Sequence, residues 1–382
     1  ILYLARLKNA LFCAINYAKI YSSMTTNLVK PIAENFWSEY NIRLEPWSIG
    51  YDAPVSINPE EIPTSDKVNT EVEVGNGDWQ PIRNAIAPEL PNQLLFIDGR
   101  LRIDANFLGR RDDEILYGAF ATIAVGAVLV DRSISRAKCI ATEVKRIIAI
   151  GGNLNPPVTI IPAPMSGRGE LKYDYCLTSS NNEADTPSQI VQSAMLDEEL
   201  RIANELSLKK ELIKENTLIV RDGPLLYRVY QTPFETIGYV KTMGKAYLRG
   251  DNAQVLRSLK VGERTPIFRI SNSKGSNLSW YLRSGSKDLN YKKLGYHDLH
   301  GLVRIDLDGS VSLERAKEIA DQSTYLIPQY ASHPTRDPRA PQNLTPVGAL
   351  EKELGRRMGS RELISRRLRD FLAESAYSPI IV

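Results

Sequence analysis

Two apolar runs of this chain each end in an acid followed by a glycine. The first is Leu94-Leu95-Phe96-Ile97-Asp98-Gly99-Arg100 and the second is Thr217-Leu218-Ile219-Val220-Arg221-Asp222-Gly223-Pro224-Leu225. A carboxylate at the end of a buried run is costly unless something positive meets it. Each aspartate is therefore either a structural hydrogen-bond acceptor or a ligand for a hard cation. Two strands ending in the same way suggest two carboxylates brought to one edge of one sheet. Hydrolysis of a phosphodiester needs such a set: the phosphate charge must be shielded, a water made acidic, and the leaving oxygen stabilised. Two hard cations about 4 Å apart, held by carboxylates on rigid elements, supply all three effects. A nearby lysine adds charge stabilisation.

A third acid has to come from elsewhere. Thr186-Pro187 opens a helix expected to run to about Lys214, with an apolar stripe of Val191, Ala194, Met195, Ile202, Leu206 and Ile213. Glu198, Glu199 and Glu205 fall at the margins of that stripe, and periodicity does not choose among them.

The elements around these residues follow from pattern. Leu94 to Ile97 is the kind of strand that is covered on both faces. Asp98 is expected where that strand emerges, with a second strand over Leu101 to Leu108 and a central strand within the long run Tyr117 to Val130. Further strands are expected at Arg146 to Ile150, Val158 to Ile161, Ile237 to Thr242, Pro266 to Ile270, Ser279 to Arg283 and Gly301 to Leu307. Helical spacing returns over Leu313 to Tyr325, and two short helices are expected between Val347 and Ala373. Before the first strand, an amphipathic helix is expected over Asn27 to Tyr40, and Pro46 to Pro91 is rich in Pro, Glu, Asp and Asn and is expected to be loop-dominated. Three parts result: an N-terminal helix and lead-in (1–90), an α/β domain (91–350) and a basic helical segment (351–382).

Composition excludes little. At 382 residues the chain is long enough for a large core, and its net charge of +3 neither demands nor excludes nucleic acid. Cys13, Cys139 and Cys176 show no paired metal spacing, which suits a reducing, cytoplasmic setting, and three histidines are too few for a histidine-rich metal site. Residues 1–33 contain no acid but have polar breaks at Lys8-Asn9 and Asn16, short of a membrane span. The clearest basic cluster is Arg356, Arg357, Arg361, Arg366, Arg367 and Arg369. Glycine-rich phosphate loops, a Gly-x-Ser-x-Gly elbow and a His-Glu-x-x-His pair are absent.

The set resembles the NurA nuclease family, whose core is a ribonuclease H-like mixed sheet flanked by helices. Phe96-Ile97-Asp98-Gly99-Arg100 resembles that family's first metal-binding motif, and Leu218 to Leu225 its second. Arg201-Ile202-Ala203-Asn204-Glu205 is similar to its Arg-then-Glu helix, which selects Glu205 with Glu199 as runner-up. Ile237-Gly238-Tyr239-Val240-Lys241-Thr242 is similar to its strand with a lysine. The resemblance implies a nuclease dependent on manganese or magnesium, with two ions held by Asp98, Glu205 and Asp222 and with Lys241 as a further catalytic residue. It implies 5'-3' exonuclease and single-strand endonuclease activity on DNA ends in double-strand break repair. A homodimer working with a HerA-type hexameric ATPase is the implied assembly. Arg100, Arg221 and Arg283 are the expected DNA-binding residues, with Trp280 and Tyr281 either stacking on bases or filling the core. One departure stands out. The family closes with a Tyr-Pro pair and an Ala-His pair, whereas the stretch here is Ala340-Pro341-Gln342-Asn343-Leu344-Thr345-Pro346-Val347-Gly348, and only His333 lies nearby.

Two other classes fit parts of the pattern. A DNA-binding or scaffold subunit with weakened catalysis would account for the missing tyrosine and histidine. An actin-like phosphotransferase also uses Asp-Gly turns, but needs phosphate loops that this chain lacks.

Overall fold

The computed structural model describes residues 36–45, 67–162 apart from 76 and 85, 170–225, 232–285 apart from 243 and 244, 297, 299–337 and 339–377. The N-terminal basic segment and most of the loop-rich lead-in lie outside the described residues.

In chain order the elements are α1 (Phe36–Glu39), β1 (Arg43–Leu44), β2 (Lys67–Asn69), β3 (Gln93–Arg111), β4 (Glu114–Asp131), β5 (Arg136–Ile150), β6 (Thr159–Pro162), β7 (Glu170–Tyr173) and β8 (Tyr175–Thr178). There follow α2 (Thr186–Ser207), β9 (Thr217–Asp222), β10 (Thr236–Val240), α3 (Gly250–Ser258), β11 (Phe268–Asn272), β12 (Gly275–Arg283) and β13 (Leu302–Asp308). The last described elements are α4 (Leu313–Tyr330), α5 (Thr345–Arg357) and α6 (Arg361–Tyr377). Among the described residues, one sheet of eleven strands has the order β2-β11-β12-β13-β10-β9-β3-β4-β5-β8, with β1 also paired to β3; β6 and β7 form a separate hairpin. At its centre β3, β4 and β5 are an antiparallel meander, and β9 and β10 add to the other side of β3 in parallel. A three-stranded meander extended by two parallel strands, the first reached through a helix, is the strand arrangement of a ribonuclease H-like core. The fold is thus a mixed α/β sheet flanked by helices.

The two-residue period of a strand divides the core between two faces. Leu94 and Phe96 of β3, with Leu218 and Val220 of β9, pack in the cluster that holds Ala316, Ile319 and Ala320 of α4 and Leu350 and Leu354 of α5. Leu95 and Ile97, with Ile219, pack instead against Ile202, Ala203 and Leu206 of α2. Even-numbered residues at this end of β3 and β9 therefore face α4 and α5, and odd-numbered ones face α2.

Several expectations change. Leu94 to Leu108 is not two strands but one, paired with β4 along its whole length with an irregularity between Ile103 and Ala105. Asp98 is therefore within a strand. What ends beside it is the pairing with β9, whose last partners are Ile97 and Arg221. Helix α2 stops at Ser207 rather than Lys214. Past that point the chain turns to insert Ile213 into the α2-side cluster, and the buried Gln93 side chain accepts from the Lys214 N–H at 2.9 Å. The far half of the β3–β4–β5 meander has a separate small core of Phe107, Phe120 and Ile148, closed by Phe36 and Trp37 of α1 and by Ile364, Leu368 and Leu372 of α6. Among the described residues no helix is long and apolar enough to cross a membrane.

Candidate metal centre

The face rule places the acids. Asp98 continues the series Leu94, Phe96 and Asp222 continues Leu218, Val220, so both carboxylates emerge on the α5 side, at neighbouring positions just past the last β3–β9 pair. On α5, Val347, Leu350 and Leu354 are buried, and Glu351 borders that stripe. Asp98, Asp222 and Glu351 each offer a carboxylate oxygen, and these oxygens lie within 4.8 Å of one another.

Asp98 is the innermost at 6% exposure, and its Oδ2 is buried with no hydrogen-bond partner among the described residues. Burial, together with the charges of Asp222 and Glu199, pushes its carboxyl well above the ordinary aspartate range, against the opposing pull of Lys241. Burial pushes Asp222 up as well, with Lys241 opposing and Glu351 adding to the rise. Lys241, just past the end of β10, donates to Asp222 Oδ2 at 2.5 Å and to Asn343 Oδ1 at 3.0 Å. Arg339 holds Glu351 with two hydrogen bonds, at 3.2 and 2.5 Å.

A buried carboxylate oxygen without a donor, between two further carboxylates, is an arrangement that a hard cation relieves. The all-oxygen donor set suits magnesium or manganese, and Asp98, Asp222 and Glu351 are the residues that would hold the ion.

The two glycines after the aspartates serve different ends. Gly223 has φ +106°, a conformation open to glycine, and its N–H donates to the Tyr239 carbonyl of β10 at 2.9 Å. Gly99 is needed for close approach: a Cβ there would lie 2.7 Å from Glu199 Oε1 and 2.8 Å from Met195 Cγ.

The expected residues fall on different sides of the sheet. Asp98, Asp222 and Lys241 come together. Glu205 does not join them: α2 covers the odd-numbered face, and Glu205 extends outward, its side chain 55% exposed and paired with Arg201 at 2.5 Å. Glu199, the runner-up, lies on the inner face of α2, where Oε2 accepts from Arg221 Nε at 2.7 Å; both side chains are at most 3% exposed. Burial raises the Glu199 carboxyl even against that guanidinium. Arg221, an odd-numbered residue, is thus turned into the protein by its place in the strand, and it also donates to the Pro224 carbonyl. It is not available to DNA. Arg283 likewise points inward, donating to the carbonyls of Leu259, His300 and Leu256 at 2.6, 2.6 and 3.2 Å. Arg100 is exposed, 3.5 Å from the Glu351 carbonyl. Trp280 and Tyr281 are core residues at 0% and 2% exposure, with the Trp280 indole bonded to Ser323. His333 is exposed and bonds Thr335. In the basic helices, Arg356 and Arg357 both bond Glu353.

Glu351 was missed because it was assigned to the basic C-terminal segment; the boundary expected at 350 falls inside α5. Its signal is an acid one residue after Leu350 and three before Leu354, at the margin of an apolar stripe. Asn343 and Arg339 have no comparable signature.

No protein-family model matches the chain, and no curated protein matches it. Among solved structures, it is similar to an endonuclease V from Bacillus subtilis at 13% identity, over 72% of this chain and 86% of that one, with a TM-score of 0.30. So loose a superposition leaves strand order and register as the description of the fold.

Proposed function

We propose that this chain is a metal-dependent deoxyribonuclease of the NurA kind, hydrolysing phosphodiesters at DNA ends, as an exonuclease and single-strand endonuclease. The observation that carries the reading is the convergence of Asp98, Asp222 and Glu351 around the unpartnered Asp98 Oδ2. Bound there, magnesium or manganese would supply Lewis-acid stabilisation of phosphoryl charge and an acidic water. The protein's own part is positional. Strands β3 and β9 fix two of the acids, helix α5 the third, and Lys241 places a positive charge against Asp222. Arg100 and Arg339, both exposed beside the acids, replace Arg221 and Arg283 as the proposed phosphate-facing cations. A homodimer working with a HerA-type hexameric ATPase in break repair remains part of the proposal, resting on the resemblance of the motifs alone.

The test is cleavage of end-labelled single- and double-stranded DNA with manganese, magnesium or chelator, comparing the parent with Asp222→Asn. The expected result is metal-dependent degradation by the parent and none by the variant. Retained DNA binding without turnover by the parent would sink this reading in favour of the scaffold subunit, which the missing tyrosine and histidine favour.

A further inference from the structure

Lys241 is a flexible side chain ending in a group that only donates, and holding it in one geometry costs conformational entropy. Two acceptors hold it here, and the second is Asn343. That residue is fully buried, and its amide lies between Lys241 and the Asp337 carboxylate. Oδ1 accepts from Lys241 at 3.0 Å, and Nδ2 donates to Asp337 Oδ2 at 2.5 Å. The sense of the amide follows from its neighbours. An ammonium can only donate and an ionised carboxylate only accept, so the reverse orientation would oppose donor to donor and acceptor to acceptor. The backbone clamps the same residue on both sides: Asn343 N–H donates to the Arg339 carbonyl at 3.1 Å, and its carbonyl accepts from Ser332 at 2.8 Å. Asp337 is itself oriented by the Arg339 N–H at 2.8 Å. A chain of bonds thus runs from the α4–α5 connection through Asp337 and Asn343 to Lys241 and Asp222.

We infer that Asn343, with its amide sense set by Asp337, is a positioning residue that fixes the Lys241 ammonium against Asp222. It lies in the stretch where the resembled family carries its tyrosine and histidine and this chain carries neither. The kinetic consequence rests on the nuclease reading; the positioning itself does not.

The test compares the parent, Asn343→Leu, the charge-conserving exchange Asp337→Asn with Asn343→Asp, and Asp337→Ala. The exchange keeps an acceptor facing Lys241 and a donor between the two positions. The first readout is the acetylation rate of Lys241 by an N-hydroxysuccinimide ester, followed by mass spectrometry on the folded protein. Loss of the Asn343 acceptor in Asn343→Leu, or in Asp337→Ala of the carboxylate that sets its amide sense, is expected to speed labelling about fivefold, and the exchange to return it toward the parent rate. The second readout is manganese-supported cleavage, where Asn343→Leu is expected to lower kcat about tenfold to a hundredfold with KM for DNA little changed. The exchange should recover most of kcat, whereas a purely structural asparagine would not be rescued in this way. Unchanged labelling in folded Asn343→Leu overturns the inference, as does an exchange that labels as fast as the leucine variant. Should Asn343→Leu not fold, Asp337→Ala decides by the same labelling criterion. A parent that cleaves no DNA but shows the labelling pattern defeats the nuclease reading and leaves the positioning intact.

Discussion

The Glu199–Arg221 pair tests the claim that the α2 side of the sheet is structural and the α5 side chemical. Both side chains are nearly inaccessible, and the bond between them is 2.7 Å. Truncating one partner strands the other's charge in a low-dielectric interior, at a cost of about 3–5 kcal/mol. For a chain of 382 residues a loss of about 4 kcal/mol lowers the unfolding temperature by roughly 5 °C. Replacing both by methionine fills a similar volume without leaving a buried charge, and such replacements fall between neutral and about 4 kcal/mol stabilising. Independent sites would make the double variant about 6–10 kcal/mol less stable than the parent, as the sum of the single costs. We expect instead that Glu199→Met and Arg221→Met are each strongly destabilised and that the double variant is close to the parent in urea unfolding. It should also still bind manganese, because neither residue belongs to the acid triad. Additive losses would refute the account of the pair. A stable double variant that no longer bound manganese would make Glu199 a ligand and refute the division of the sheet.

Two further outcomes follow from the same electrostatics. Asp98→Asn removes a charge that burial and two neighbouring acids disfavour. Without metal the variant should unfold at a higher temperature than the parent, while manganese at a hundred times its dissociation constant, worth about 2.7 kcal/mol to the parent, should give it little; calorimetry with and without chelator checks both. Glu73 is an acid-sensitive site away from the centre. Burial raises its carboxyl, but Arg264 at 2.8 and 2.9 Å and the Ile267 N–H at 2.7 Å outweigh burial and hold it below the usual range. A depressed folded value means that its contribution is present above the unfolded value, about 4.3, and lost as pH falls through the folded one. Glu73→Gln should therefore be less stable than the parent by about 2–3 kcal/mol at neutral pH, and the gap should close in urea titrations carried out below about pH 4.

How far the sequence led depended on which residues carried their own context. Asp98 and Asp222 were legible because each ends an apolar run, and two runs ending in the same way suggested one edge of one sheet. Lys241 followed from the resemblance of Ile237 to Thr242 to the family's strand with a lysine. The third acid was not legible, because periodicity identifies the buried stripe of a helix but not the sheet face the helix covers. Glu205 and Glu351 both border apolar stripes, and only the packing of α2 and α5 on opposite faces separates them. The inward arginines failed for the same reason. Arg221 next to Asp222 in sequence is on the other side of the sheet in space. The length of β3 was hidden by the Asp98-Gly99 pair, which has the composition of a turn, although this glycine serves the approach of Glu199 and Met195.

The most direct test of the metal centre is manganese binding followed by electron paramagnetic resonance in the absence of DNA, comparing the parent with Glu351→Gln and Glu205→Gln. The account predicts that the parent and Glu205→Gln bind alike and that Glu351→Gln binds at least about tenfold more weakly. Unchanged affinity in Glu351→Gln together with loss in Glu205→Gln would contradict it, and would place the third ligand on the other face of the sheet.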